Sequence, residues 1–315
     1  MVGVQFDDML VVEEVEQLHK DVIALQLVHP RGLTLPQWTP GAHIDIVLKP
    51  ELVRQYSLCG DLKDQSRWTV AVQRCDNGLG SSYIHSNIRP GNEIRVRGPR
   101  NHFELEEAPR LLFIAGGVGI TPILPMLAQA TAWGADWRLV YVGRRHSDMP
   151  FIAKLWPYGD RVMCHGTEHD GPINLEDLIN GVDLSTMVYC CGPERMLDAI
   201  ESIGAASGHR IRTERFQPCS QPTDGSKTAF EIELAQSNKI LSVSETETIL
   251  DVLEGAGVQV LSSCRTGTCG TCEVPVLAGV PDHRDNVLTV DEHAANDAIL
   301  VCVSRSCTPR LVLDC

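Results

Sequence analysis

The first hundred residues alternate short runs rich in β-branched and aromatic residues with turn signals, the period-2 pattern of half-buried strands. Runs at 11–15, 22–28, 43–48, 54–58, 68–73 and 93–96 have strand lengths, and Pro40-Gly41, Asn77-Gly78 and Pro90-Gly91 punctuate them. Six short strands with no long helix predict a small antiparallel barrel. From Arg110 the pattern changes. A continuous apolar run at 111–115 leads into a glycine turn and a helical stretch from about 122 to 133, and further strands are expected at 138–142, 161–165 and 187–191. Short helices are expected near Phe151 and behind an Asn174 cap, ahead of Glu176 and Asp177. This alternation predicts a doubly wound parallel sheet with helices on both faces. A polar stretch bearing Pro and Gly at 217–226 then interrupts the pattern. Beyond it stand a hairpin of 230–234 and 240–243, a helix at 248–255 and a last strand at 310–313. The chain accordingly divides into a barrel domain (1–103), a nucleotide domain (104–218), a linker (219–228) and a small terminal domain (229–315).

Composition narrows the functions open to this architecture. Among 315 residues, 43% are apolar and 22% charged, as in a soluble globular chain. No run nears the roughly 18 uninterrupted apolar residues of a membrane span. Asp7, Asp8, Glu13 and Glu14 behind Met1 do not make a signal peptide, so a cytoplasmic location is expected. A formal charge of −14 argues against nucleic acid as a partner. Residues 229–315 carry 13 acidic and 5 basic side chains, a net −8, leaving −6 for the first 228. An acidic terminal module suits docking on a basic protein surface, although ordinary solubility charge looks the same.

Of 12 cysteines, four fall at ligand spacing. Cys264, Cys269 and Cys272 form Cys-x4-Cys-x2-Cys, and Cys302 stands on an expected strand further on. That is the plant-type [2Fe–2S] spacing. A four-cysteine zinc site usually pairs two Cys-x2-Cys knuckles, and only one is present here. Cys59, Cys75, Cys164, Cys190 and Cys191 lie on or beside expected strands and are expected by default as buried small hydrophobes, whereas Cys219, Cys307 and Cys315 have no assigned role.

Arg54-Gln55-Tyr56-Ser57 lies on an expected barrel strand and resembles the flavin signature of the ferredoxin–NADP reductase superfamily. Arg54 suits a flavin phosphate, Tyr56 can pack on the ring or ribityl chain, and Ser57 can hydrogen-bond near the ring's reactive nitrogen. Gly78-Leu79-Gly80-Ser81-Ser82 reads as a turn whose N–H groups, with the hydroxyls of Ser81 and Ser82, form a phosphate nest. Gly98-Pro99-Arg100-Asn101-His102-Phe103 resembles the barrel exit of phthalate dioxygenase reductase and its relatives, which implies FMN. The short loop after Leu58 offers no platform for an adenine either.

Gly116-Gly117-Val118-Gly119-Ile120-Thr121-Pro122 matches the superfamily's Gly-Gly-x-Gly-x-Thr-Pro form. Glycines at a strand-to-helix turn let backbone approach a pyrophosphate. Tyr189-Cys190-Cys191-Gly192-Pro193 resembles its second mark, and the resemblance implies that Cys191 lies beside the nicotinamide, with Gly192 and Pro193 shaping the turn. Ser57, Thr121 and Cys191 would then frame the reacting contact. Arg144, Arg145 and Ser147 suit a 2′-phosphate and Asp148 a free ribose; Arg144 also suits a pyrophosphate or ribose contact, and the resemblance favours NADH. Phe216, behind Glu214 and Arg215, reads as a cover for the flavin ring or as a plain core residue.

Taken in order, the modules resemble the phthalate dioxygenase reductase family over nearly the whole chain. The resemblance implies a β-grasp ferredoxin domain at the end and a path from NADH through FMN to the cluster. It also implies a Rieske-type terminal oxygenase as acceptor, met through Arg265, Thr266 and Thr268. A cytochrome P450 or a soluble ferredoxin is the rival acceptor, and a redox sensor without turnover is the rival of another class.

Overall fold

The computed structural model describes residues 6–49, 52–75, 78–216, 228–288 and 290–315, and the chain forms two compact units that divide between Arg215 and Phe216. All but the last residue of the expected linker lies outside the described residues. In the first unit, strands β1 (Phe6–His19), β2 (Val22–Val28), β3 (His43–Lys49), β4 (Leu52–Ser57), β5 (Arg67–Gln73) and β6 (Glu93–Arg100) form one antiparallel sheet. Their order is β4-β3-β6-β1-β2-β5. Its two edges meet at a bridge between Leu58 and Val70, which curls the sheet into a barrel. Leu10, Leu25, Ile44, Val70 and Val96 fill the interior.

Two strands are apolar on both faces. Ile23, Leu25 and Leu27 of β2 point into the barrel, whereas Val22 and Ala24 join Ala71 and Phe103 in a core shared with the next sheet. Burying both faces of β2 removes apolar area from water that either layer alone would leave wet.

One expectation is corrected here. The turn expected at 78–82 is instead the start of a helix, α1 (Leu79–Asn87), held to the barrel core by buried Ile84. Tertiary burial outweighs the poor helix propensity of its Gly-Ser start.

The second layer is a parallel sheet of β7 (Arg110–Gly116), β8 (Asp136–Gly143), β9 (Val162–Gly166), β10 (Met187–Cys191) and β11 (Ile211–Glu214), ordered β11-β10-β7-β8-β9. Helices α2 (Ile120–Trp133), α3 (Ile152–Leu155), α4 (Thr167–Asp170), α5 (Leu175–Asn180) and α6 (Glu194–Ser207) connect it. Alternate residues go to opposite faces. Leu111, Phe113, Ala115 and Cys191 pack with Ile120, Ile123 and Met126 of α2, and Leu112, Ile114, Val188 and Cys190 pack with Ile179, Leu197 and Ile200. Asn174 caps α5 by accepting the N–H groups of Glu176 and Asp177, each at 3.1 Å. The chain runs outward from β7 through β8 to β9, then returns to the other side of β7. That reversal places a switch point between β7 and β10.

The second unit is a β-grasp. Strands β12 (Phe230–Leu234), β13 (Lys239–Val243), β14 (Glu273–Ala278), β15 (Pro281–Asp282), β16 (Ala298–Leu300), β17 (Arg305–Ser306) and β18 (Arg310–Leu313) accompany α7 (Ile249–Gly255) and α8 (Val290–Ala295). Its main sheet is ordered β13-β12-β18-β14-β16, with β12 and β18 parallel. Thr248 and Asp251 form a reciprocal capping box at the start of α7. Among the described residues no helix is long and apolar enough to cross a membrane.

Candidate functional site

The glycine turn and the Cys-Gly-Pro turn meet at the switch point. Cys191 lies in register with Ala115 on one side and with Glu214 on the other. A side chain at Gly119 would sit 2.3 Å from the Cys191 carbonyl oxygen, and one at Gly116 would sit 2.5 Å from Pro193 Cδ. The two turns are therefore closed against each other and leave backbone, not side chains, facing the crevice beyond the strand ends. Tyr141 fixes this geometry, with its hydroxyl 3.0 Å from the Gly117 carbonyl oxygen. Thr121 is buried and donates to the Val118 carbonyl at 3.0 Å, so its hydroxyl holds the turn together.

The barrel reaches the same edge through Ser57. Its buried hydroxyl donates to Glu214 Oε2 at 3.4 Å, linking the end of β4 to the end of β11. Burial pushes the Glu214 carboxyl up to about 8, and the Ser57 bond opposes that shift. Burial also holds the Cys191 thiol well above the ordinary cysteine range, with the neighbouring Glu214 adding to it. Both groups are thus neutral at pH 7. For Glu214 the folded state keeps a proton that the unfolded chain loses above its ordinary 4.5. Its contribution to stability is complete below that value and is lost as pH rises through about 8. The thermal midpoint of the full chain is expected to fall over this window, and Glu214→Gln to flatten the fall. Calorimetry from pH 5 to 9 checks it, and an unchanged slope in Glu214→Gln contradicts the assignment.

Arg54 and Tyr56 alternate on β4. The Arg54 side chain lies along the start of α1, close enough that a Cβ on Gly80 would meet its Cγ at 2.5 Å. The first N–H groups of a helix lack intrahelical partners and favour an anion, so Arg54 and the start of α1 together fit a phosphate. The expected nest is corrected in one respect. Ser81 Oγ accepts from the Cys75 N–H at 3.1 Å and Ser82 Oγ donates to the Cys75 carbonyl at 3.4 Å, so both hydroxyls secure the approach to the helix. Cys75 itself is exposed rather than buried. Burial raises the Tyr56 phenol above its ordinary value and keeps it neutral.

Beyond β8, a shallow cavity of about 380 Å³ is lined by Arg144, Arg145, His146, Ser147, Gly166, Glu168 and His169. Acids occupy its cations. Arg145 Nε stands 2.8 Å from Asp148 Oδ2, and Glu168 Oε2 stands 3.4 Å from Arg144 Nε and 3.6 Å from Arg145 Nε. Glu168, absent from the sequence expectations, comes from the short helix α4 that follows β9 and could be placed only by the fold. Phe216 is 44% exposed and is no core residue.

In the second unit the four cysteines converge. Cys264 Sγ lies within bonding reach of the Cys269 and Cys302 sulfurs, and Cys272 Sγ within reach of Cys302; sharing protons with these neighbours lowers the Cys264 and Cys272 thiols. The Thr266 and Thr268 N–H groups donate to Cys264 Sγ at 3.3 and 3.4 Å. Gly267 takes φ +72°, and a side chain there would meet Val303 Cγ2 at 2.7 Å. A tight loop of inward sulfurs with N–H groups turned toward them fits an iron–sulfur cluster. Cys302 corrects another expectation: it lies in a turn after β16, not on a strand. Pairing with β14 ends at Leu300, and the released chain turns Cys302 toward the loop, with the Val301 N–H still donating to the Cys272 carbonyl. Cys269, Cys272 and Cys302 are buried and Cys264 is partly exposed. Arg265, with φ +55°, is tied to Asp251 and Glu254 of α7.

Comparison with known proteins agrees with this geometry. Residues 9–105 match the model of the oxidoreductase FAD-binding domain, and residues 232–307 that of the 2Fe-2S iron-sulfur cluster binding domain. The chain is 38% identical over 300 residues to phenoxybenzoate dioxygenase subunit beta of Ectopseudomonas oleovorans, spanning 93% of each. The structure of phthalate dioxygenase reductase, titled a modular structure for electron transfer from pyridine nucleotides to [2Fe-2S], is 32% identical with a TM-score of 0.69, over 98% of both chains. An intact type IV self-sufficient cytochrome P450 monooxygenase matches at TM-score 0.91 and 37% identity over 98% of this chain, which spans 41% of that enzyme. Fold, site and matches define a flavin- and iron–sulfur-dependent oxidoreductase built for electron transfer. Within that class, the chain belongs to the phthalate dioxygenase reductase family.

Proposed function

We propose that this protein is the reductase component of a Rieske-type oxygenase system, drawing electrons from NADH through FMN and a [2Fe–2S] cluster held by Cys264, Cys269, Cys272 and Cys302. The observation that carries the reading is the bond between Ser57 and Glu214, which brings the flavin-type strand to the Cys191 turn. When bound, the flavin takes electrons from the dinucleotide in pairs and releases them singly. The chain's own task is placement. Arg54 and the start of α1 hold the flavin phosphate, Tyr56 packs its body, and Ser57 orients the ring edge. Gly116, Gly117, Gly119, Gly192 and Pro193 give the nicotinamide an approach free of side chains, and the neutral Cys191 thiol lies beside it. The domain boundaries read from the sequence serve this division of labour.

FMN rather than FAD is supported by the resemblance of the barrel exit and by the short 59–66 connection. NADH is supported by Asp148 and Glu168, which already pair with Arg144 and Arg145 and would repel a 2′-phosphate. An oxygenase acceptor is supported by the dioxygenase relatives and by the acidic terminal module, and a cytoplasmic setting by the reduced cysteines such a cluster needs. The close match to a self-sufficient monooxygenase favours a second reading, in which the acceptor is a cytochrome P450.

Holoprotein supplied with both cofactors is expected to oxidise NADH with cytochrome c as acceptor, to prefer NADH to NADPH in kcat/KM, and to release FMN on extraction. A stable holoprotein without turnover overturns the reductase reading. Coupled product formation with a purified Rieske oxygenase, set against a P450, separates the two acceptors.

A further inference from the structure

The second unit contains a set of converging donors that the electron path does not use. Asp285 and His283 belong to the segment after β15, and His293 to α8. The Asp285 side chain is fully buried. Its Oδ2 accepts the N–H groups of Val287 and Leu288 at 3.1 and 2.9 Å, which fixes the carboxylate plane. Its Oδ1 has no hydrogen-bond partner and stands 3.8 Å from His283 Nδ1 and 3.4 Å from His293 Nε2. The His283 side chain is 9% exposed, and neither ring nitrogen has a partner at hydrogen-bond geometry, with Asn296 the nearby polar group. The two imidazoles stack with centroids 4.4 Å apart and planes at 19°.

We propose that His283, Asp285 and His293 form a binding site for a divalent transition ion of the zinc class, separate from the four-cysteine centre. The three donor atoms lie within 4.8 Å of one another. Tetrahedral bonds of about 2.0–2.1 Å place ligand atoms about 3.4 Å apart. Asp285 Oδ1 and His293 Nε2 already stand at that spacing, and a turn of the His283 ring out of the stack and inward completes the site. Imidazole and carboxylate donors suit zinc, and an open position remains for water. A buried imidazole and a buried carboxylate oxygen without partners are costly, and one cation would satisfy Asp285 Oδ1 and one of the two His283 nitrogens. The two backbone bonds to Oδ2 act as the supports that usually orient a ligating carboxylate. Glu273, Glu292 and Asp297 place further negative charge in the neighbourhood.

The site also has a place in the fold. The Asp285 Cα lies where a side chain on Gly267 would meet it at 3.2 Å, and the Asn286 N–H donates to the Gly267 carbonyl at 2.9 Å. A cation here would therefore fasten α8 to the segment that backs the cysteine loop.

The test is zinc uptake by the iron- and flavin-loaded full chain, dialysed against Zn²⁺ and assayed for both metals. The expected result is one zinc per chain with the iron content unchanged. His293→Ala, on a partly exposed helix, is expected to weaken uptake on the order of 100-fold or more. Asp285→Asn keeps an oxygen for the Val287 and Leu288 N–H groups and is expected to weaken it while leaving the cluster spectrum intact. Absence of stoichiometric zinc, or uptake undiminished by His293→Ala, overturns the proposal. Zinc gained only as iron is lost assigns the ion to the cysteines and overturns it equally.

Discussion

Cys272→Ala is expected to cut NADH-dependent cytochrome c reduction on the order of 100-fold or more, about 3 kcal/mol on a transition-state scale, while dye reduction through the flavin persists. Cys272 is 2% exposed and closes the cysteine loop where it enters β14. Its sulfur is within reach of Cys302, and its carbonyl accepts the Val301 N–H at 3.2 Å. Alanine removes a ligand from the cage but leaves that backbone bond intact. The Ser57, Cys191 and Glu214 constellation belongs to the other compact unit and is untouched. Two assays on one preparation, ferricyanide and cytochrome c, with iron analysis alongside, decide the matter. Loss of both activities would contradict a route in which the flavin is loaded independently of the cluster.

The second large effect is expected at Gly119. A methyl group there would lie 2.3 Å from the Cys191 carbonyl oxygen and 2.8 Å from the Gly192 nitrogen, and both are backbone atoms with no rotamer to yield. The Cys191 turn must move. A displacement near 1 Å at a reacting contact costs about 100-fold in rate. Gly119→Ala should therefore lose roughly that factor in kcat/KM for NADH while retaining its flavin. Gly117 supplies the control. It needs a positive φ of +55°, but a side chain there meets nothing within 4 Å. Gly117→Ala should cost about 1–2 kcal/mol of stability with little steric effect on the nicotinamide approach. If the two variants have equal steady-state kinetics, the two turns do not form a common site.

These contrasts show what the sequence could and could not reveal. The Cys-x4-Cys-x2-Cys spacing and the two glycine turns are legible because local geometry dictates them: a loop must bend at fixed residues to aim sulfurs or bare backbone. The parallel sheet is legible because its central strands, β7 from Leu111 and β10, are apolar and buried throughout. Helix α1 was hidden behind Gly78, Gly80 and two serines, whose propensities say turn, and only the burial of Ile84 makes it a helix. Helix α6 follows the Cys-Gly-Pro turn unannounced, since its Leu197, Ile200 and Gly204 stripe is narrow. Contacts distant in sequence were out of reach. Ser57 and Glu214 are 157 residues apart, and Glu168 enters the Arg144–Arg145 cluster from helix α4. His283, Asp285 and His293 follow no metal-motif spacing, because a loop and a helix bring them together. Arg265, read as partner-facing, pairs with Asp251 and Glu254 of α7 while its side chain stays 49% exposed.

The two-faced strands β2 and β5 have a consequence for how this chain can be taken apart and recombined. Val22, Ala24, Ala71 and Phe103 belong to the barrel by sequence, yet they share a buried core with Phe113 and Tyr189 of the parallel sheet and Ile123 of α2. Severed after Phe103, the barrel would present a greasy flank, and the sheet would lose the layer that covers α2. The unit that keeps its core whole is therefore the entire span to Arg215. A division at the Arg215–Phe216 junction, by contrast, splits none of the hydrophobic clusters of either unit.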